Sequence, residues 1–241
     1  MQQVFHNAMK IVKKDFASDK LQIIWTILFM LYMGFATSVV INVQFEHLDE
    51  YNNPFVDFIM VLFAPFVGFL FNRKSFKYLN EDSYTRMLYF YRSIPVPASA
   101  IFVSRIINSL IAFAINSIVF YGIIYAIGNH LRSVMDIPSY IAFMLTWVGV
   151  GFLLTGPYIY WESMSSGKVY LRNTVILNFF IAGSVAVLSL LGYSIFEFSA
   201  NAAMQWGLLS PVMWGALIAG LASMLLMSKL TYTRQQTRDL S

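Results

Sequence analysis

The sequence predicts an all-α membrane protein: six transmembrane helices, an N-terminal interfacial amphipathic helix, and a cytoplasmic coupling helix between spans two and three. Three observations predict the membrane fold. Six apolar runs of membrane-crossing length follow one another along 241 residues. Fifteen of the sixteen Lys and Arg residues fall in segments that would share one face of a bilayer. Polar residues do not alternate with apolar ones inside the runs, which excludes a porin-like barrel.

The first element, over residues 1–20, is amphipathic. At helical spacing Phe5, Ala8, Met9, Val12 and Phe16 gather on one side, while Gln3, His6, Lys10, Lys13 and Lys14 gather on the other. This reads as a helix lying in the inner headgroup layer with its lysines toward phosphate. No cleavable signal peptide is expected, because no small-residue cleavage site follows a short apolar core.

The spans are predicted at 21–41, 55–71, 101–127, 139–161, 173–196 and 208–228. A helix of about 20 residues crosses a hydrocarbon core about 30 Å thick. Lipid offers the backbone no hydrogen-bond partners, so each span is expected to be helical. Charge sits only at the margins, with Asp57 at an outer end and Arg105 at an inner one, where side chains can reach the headgroups. Pro65 is expected to kink or loosen span two, and Gly149, Gly151, Gly156 and Pro157 to do the same in span four.

Charge sets the orientation. Lys10, Lys13, Lys14, Lys20, Arg73, Lys74, Lys77, Arg86, Arg92, Arg105, Lys168, Arg172, Lys229, Arg234 and Arg238 lie on one side. Only Arg132 lies on the other, among Glu46, Asp49, Glu50, Asp57, Asp136 and Glu197. Cationic residues near span ends resist translocation, which puts both termini in the cytoplasm. At 58% hydrophobic and 12% charged, against roughly 25% charged in soluble domains, much of the chain must face lipid. The basic balance therefore reports topology and attraction to anionic membrane lipids, not nucleic acid. Cysteine is absent, which rules out disulfides and thiolate chemistry.

The inner segment 72–100 is the most specific stretch. Its basic cluster, Arg73, Lys74 and Lys77, leads to Glu81-Asp82-Ser83, an N-cap signal for a short helix from Tyr84 to Arg92. Pro95 and Pro97 close it. That helix would display Tyr84, Met87, Leu88, Tyr89, Phe90 and Tyr91 beside Arg86 and Arg92. These residue types are enriched at the centres of protein contacts, and Tyr is also common at the headgroup boundary. Both readings stand on residue types alone.

Arg92-Ser93-Ile94-Pro95-Val96-Pro97, followed by Ile101-Phe102-Val103-Ser104-Arg105, resembles the stretch between spans two and three of bacterial ABC-2 type transporter permeases. Pro97 and Ile94 stand where that family often has Ser and Leu. The ending Tyr232-Thr233-Arg234, with Arg238-Asp239-Leu240, is similar to the basic tail of those permeases. The resemblance implies the transmembrane half of an ATP-driven exporter in the bacterial plasma membrane. It implies a coupling helix docked in a groove of a cytosolic ABC ATPase subunit through Tyr84, Arg86, Met87, Leu88 and Tyr91. The interfacial helix carrying Phe5, Met9, Val12 and Phe16 would pack against the same subunit, and a second permease chain, identical or paralogous, would complete one pathway. ATP and Mg would be bound by the partner, with no cofactor on this chain. The resemblance also implies short helices near 196–210 that dip into the outer leaflet.

Other chemistry finds little in the sequence. The Gly167-Lys168 pair is followed by Val169, with Glu162 where the first glycine of a phosphate-binding loop belongs, so the chain is not expected to hydrolyse ATP itself. His6, His47 and His130 lack metal-ligand spacing. Glu162 is expected to form a local ion pair with Lys168 or Arg172. The span centres offer only uncharged polar groups, with Thr37 and Ser38 in the outer part of span one, Asn116 and Ser117 central in span three and Asn178 nearer the inner end of span five, which argues against proton coupling. Asn116 and Asn178 are candidate pathway residues, with helix packing the favoured role. Short outer loops and abundant Phe, Tyr and Met suit an amphipathic or hydrophobic cargo, a peptide or toxin before a lipid or drug. The alternative is a non-transporting membrane scaffold or sensor that docks a cytosolic partner.

Overall fold

The computed structural model describes residues 2–18, 20–46, 53–71, 82, 89 and 96–235. All regular structure among the described residues is helical. In chain order the helices are α1 (Gln2–Ser18), α2 (Lys20–Glu46), α3 (Pro54–Phe63), α4 (Ala98–Ile127), α5 (Asn129–Val134), α6 (Ile137–Met164), α7 (Gly167–Leu190), α8 (Ile195–Trp206) and α9 (Pro211–Gln235). Short 3-10 turns follow α3 at Ala64–Gly68 and α8 at Gly207–Leu209.

Among the described residues five helices are long and apolar enough to cross a membrane: Lys20–Glu46, Ala98–Ile127, Ile137–Met164, Gly167–Leu190 and Pro211–Arg234. The shortest has 24 residues, or about 36 Å of helix, against a hydrocarbon core of about 30 Å. The helix expected over 55–71, kinked or loosened at Pro65, is instead broken. α3 has 10 residues, the backbone tightens to a 3-10 turn containing Pro65, and Phe69 is extended. Proline removes one backbone donor and its ring crowds the preceding turn, so the α-helix ends where Pro65 enters.

The span expected at 173–196 runs from Gly167 to Leu190. α6 stops at Ser165 and α7 starts directly after Ser166, which puts Lys168 and Arg172 on the first turns of α7 rather than in a loop. The 3-10 turn at Gly207–Leu209 and α8 occupy the region expected to hold short helices.

Local chemistry fixes several helix ends. Asn53 accepts a hydrogen bond from the Phe55 N–H at 3.0 Å, with Pro54 in the first turn of α3. Asp136 accepts from the Ser139 N–H at 3.1 Å and starts α6, and the side-chain and backbone hydrogen bonds of Ser139 hold its carboxyl below the usual carboxylate range. Ser194 accepts from the Glu197 N–H at 3.1 Å and starts α8. Arg132, the lone base among the acids, donates to the Tyr125 and Ala126 carbonyls and so satisfies the end of α4.

The bundle is arranged around α6, whose central window is 56% buried, whereas that of α7 is 11% buried. At one end Phe196 lies between Phe45 and Phe143, with ring centroids 5.2 and 5.5 Å away. Asp136, Glu197 and the His130–Glu46 contact of 3.7 Å share that end. Arg105, Lys168, Arg172 and Arg234 share the other, which is called the basic end below.

α9 lies against α6 at backbone distance. A side chain at Gly220 would collide with the Gly149 carbonyl, and Ser223 donates to the Leu153 carbonyl at 2.9 Å. Close approach lets dispersion and backbone dipoles replace the missing hydrophobic drive between helices in lipid. Gly220→Val should therefore destabilise the purified protein by about 1–3 kcal/mol. Gly183→Ala, which points into open space on α7, should not lower the midpoint of thermal unfolding. Equal midpoints for the two variants would contradict this packing.

Candidate functional site

Ser104, Arg105, Asn108, Ser109, Ala112 and Asn116 recur at three- or four-residue spacing, which puts them on one face of α4. Arg105 begins this stripe at the basic end. Its Nη2 is 3.1 Å from the Glu162 Oε1, and its Nη1 donates to the Ser163 Oγ at 3.1 Å. The pair is largely shielded, with side chains 19% and 25% exposed. The expected partners of Glu162, Lys168 and Arg172, belong to α7, and Arg105 on the neighbouring α4 takes the carboxylate instead. Arg105 thus points into the protein rather than out to headgroups. One step along the stripe, the Asn108 Nδ2 donates to the Asp15 Oδ2 at 3.3 Å and ties α1 to α4.

The broken segment after α3 lies against the upper part of the stripe. Asn116 is fully buried, and its Nδ2 donates to the carbonyls of Val67 and Phe69, both at 2.9 Å. From the other side, Thr26 of α2 accepts from the Phe71 N–H at 2.9 Å and donates its own hydroxyl to Gln22 O at 2.8 Å. A Cβ at Gly151 would lie 2.5 Å from the Ala64 carbonyl oxygen, so only glycine lets α6 support the 3-10 turn. Non-helical backbone at membrane depth is tolerated where protein satisfies it, and these contacts do so.

Below the break is a cavity of about 190 Å³. Asp15 and Phe16 of α1, the Gly68–Phe71 backbone, and Arg105, Asn108 and Ser109 of α4 form part of its wall. Thr155, Tyr158 and Glu162 of α6 and Tyr170 of α7 complete it. Three atoms here are buried without a hydrogen-bond partner: Asn108 Oδ1, Ser109 Oγ and Thr155 Oγ1. Thr155 as a whole is 7% exposed. Among the described residues no cluster of His, Asp and Glu could hold a metal ion.

Of the predicted site residues, Tyr84, Arg86, Met87, Leu88 and Tyr91 lie outside the described residues. Two neighbours are described: Tyr89 is helical and about half exposed, and the Asp82 Oδ1 accepts from the Gly167 N–H at 2.8 Å. That contact sets a carboxylate on the N-terminus of α7, the favourable end of its dipole. On α1 the expected apolar face is divided. Ala8 and Val12 are buried, Phe16 is half-buried at the cavity wall, and Phe5 and Met9 remain 56% and 41% exposed. Asn178 is half-buried on α7, which packs on α3 and α6 rather than α4, so it shares no wall with Asn116.

Asp57, expected to reach the headgroups, is 1% exposed. Its Oδ1 accepts from the Ser194 Oγ at 3.0 Å and the Phe196 N–H at 2.6 Å, joining α3 to the start of α8. Sequence reasoning also missed Asp15, Asn108, Ser109, Thr155 and Thr26. The first three had a signal: Asn108 and Ser109 follow Arg105 at helical spacing, and Asp15 follows Val12 by three residues. Thr26 had none, because a threonine that accepts from a distant backbone amide looks like any other in a span.

Replacing Asn116 by Leu keeps the volume and removes both caps. The Val67 and Phe69 carbonyls would be stranded at a cost of about 1–3 kcal/mol each. The expected result is a lower unfolding midpoint, together with faster maleimide labelling of a single cysteine placed at Phe69, against a background free of native cysteine. Unchanged stability and labelling would mean that the caps do not hold the break.

No family model matches this chain, and no curated protein or solved structure is significantly similar to it.

Proposed function

We propose that this chain is the transmembrane permease subunit of an ATP-driven ABC exporter. It moves an amphipathic or hydrophobic cargo, preferably a peptide or toxin, outward across the bacterial plasma membrane. A separate cytosolic ATPase binds ATP and Mg and supplies the energy. The observation that carries this reading is the paired attachment at the basic end. Asp82, from the segment proposed to dock the ATPase, sits on the first backbone amide of α7, and α1 is tied to α4 through Asp15 and Asn108. A push on that segment would reach α7, and a push on α1 would reach α4, through hydrogen bonds already in place.

The resemblance of residues 92–105 to ABC-2 permeases supports the same reading, as does the sequence's want of a phosphate-binding loop. Six crossings fit as well. α3 supplies about 15 Å, the 3-10 turn about 10 Å and residues 69–71 about 10 Å, together enough for a core of about 30 Å. An even number of crossings agrees with basic segments gathered at one end and with two cytoplasmic termini. A second permease chain would find apolar surface on α7, where Phe179 and Phe180 are 76% and 71% exposed.

The test is co-purification with a candidate cytosolic ABC ATPase. Changing Tyr84, Arg86 and Tyr91 together to Ala should abolish both the complex and the stimulation of ATP hydrolysis, while leaving the unfolding midpoint within about 0.5 kcal/mol of wild type. A complex that survives the triple change would overturn the coupling assignment. The orientation has its own readout. Single cysteines at Glu46 and Glu197 should react with an impermeant maleimide on intact cells, and a cysteine at Lys229 should react only after lysis.

A further inference from the structure

The protein uses only part of the apolar face of α1. Ala8 and Val12 are buried, whereas Phe5 and Met9 on the same side of the helix stay 56% and 41% exposed. Met9, Val12 and Phe16 form, with Ile111 of α4, the floor of an open groove of about 410 Å³. Lys10 and Lys13 stand along it. We propose that this groove is a discrete site for one anionic phospholipid, with its phosphate between Lys10 and Lys13 and an acyl chain running along α4. The site stands on this geometry and does not rest on the exporter reading.

The charges select the headgroup. Lys10 and Lys13 are three residues apart, which makes them neighbours on the helix surface. Both are exposed, and among the described residues no carboxylate lies within ion-pair distance of either. No described acid lines the groove. Asp15, farther along α1, is engaged with the Asn108 amide of α4. A phosphate placed between the two lysines therefore gains charge-assisted hydrogen bonds from both and meets no opposing carboxylate. A zwitterionic lipid brings its own cation, which the same lysines repel.

The floor selects a lipid over a soluble anion. Ile111 lies six residues beyond Arg105 on α4, about 9 Å farther from the basic end. Ile118, seven residues farther on, shares its face and is 73% exposed. Ala114 and Ile115 between them are apolar as well. An acyl chain that enters at Ile111 thus finds an apolar track toward the opposite end of α4, while the lysine stems reach back to headgroup level. A free phosphate would leave Met9 and Ile111 bare.

Size selects the number. About 410 Å³ falls among the clefts of about 300–1,000 Å³ that hold a single ligand. One lipid seated here touches both α1 and α4, and adds a second tie to the one between Asp15 and Asn108.

Native mass spectrometry of the full chain, released from detergent, counts the lipids that it keeps. From an equimolar mixture of phosphatidylglycerol and phosphatidylcholine with the same acyl chains, one phosphatidylglycerol should stay bound. Lys10→Gln and Lys13→Gln together should weaken its retention about tenfold or more. Lys168→Gln with Arg172→Gln, which removes two exposed cations from the same end of the bundle, should not change it. The unfolding midpoint of both double variants without added lipid should match wild type, because all four side chains are exposed. Met9→Gln should weaken retention through the floor, and glycerophosphoglycerol, the same headgroup without chains, should not displace the lipid.

Equal retention of phosphatidylcholine, an equal loss in the two double variants, or displacement by the headgroup alone would overturn the proposal. So would a disulfide between two copies of the Met9→Cys variant, which the lack of native cysteine makes readable and which would give the groove to a second chain. No ATPase is present, so a lost complex in the co-purification test leaves this result untouched, and the reverse also holds.

Discussion

A backbone that leaves its helix inside an apolar bundle must find every hydrogen bond within the protein, and residues 64–71 impose that demand here. Water would satisfy the freed carbonyls at no net cost, whereas hydrocarbon leaves each one several kcal/mol short. Asn116 meets two of them with one amide, and Thr26 receives the Phe71 N–H from the opposite side. The arrangement around the break follows from this. α4 must present an asparagine at mid-length, α2 must present a threonine near its start, and α6 must carry a glycine where the turn rests on it. The cavity lies immediately below, with the Gly68–Phe71 backbone as part of its wall.

The parts of this structure that sequence made legible are those governed by composition over many residues. Long apolar runs became helices within a few residues of the expected limits, as with 101–127 against Ala98–Ile127 and 139–161 against Ile137–Met164. The amphipathic start became α1, with Ala8 and Val12 buried. What sequence left dark depended on single partners far away in the chain. Pro65 announced a disturbance, but whether it kinked the helix or ended it depended on Asn116, 49 residues from Val67, being in reach. The partner of Glu162 was sought six to ten residues away and found on another helix 57 residues away. Proximity in sequence is a weak guide once antiparallel helices bring span ends together.

The charges at the two ends do different physical work. At the acidic end Arg132 closes α4, Asp136 opens α6, and Asp57 reaches the start of α8, so the charges there act as helix-end partners. At the basic end Arg105 is turned inward and its charge is balanced by Glu162, which removes it from the set that faces headgroups. A count of cations near span ends therefore overstates the charge available to lipid by at least this one. Lys168, Arg172, Lys229 and Arg234 remain exposed at the same end.

Burial also separates the elements that can move from those that cannot. α6 and α9 meet at glycine backbone, and α6 is the most enclosed helix, so displacing either would break close packing along several turns. α7 has three buried residues, Gly167, Ile181 and Val185, and α1 has two, Ala8 and Val12. Elements with so few buried contacts occupy the low end of local stability, where rearrangement costs least. Both touch the cavity, α1 through Asp15 and Phe16 and α7 through Tyr170, whereas its opposite wall belongs to α4 and the fixed α6. The cavity therefore has two walls with few buried residues, α1 and α7, facing the densely packed α6. Rearranging either of the two would change the polar space between them before it disturbed the close packing of α6.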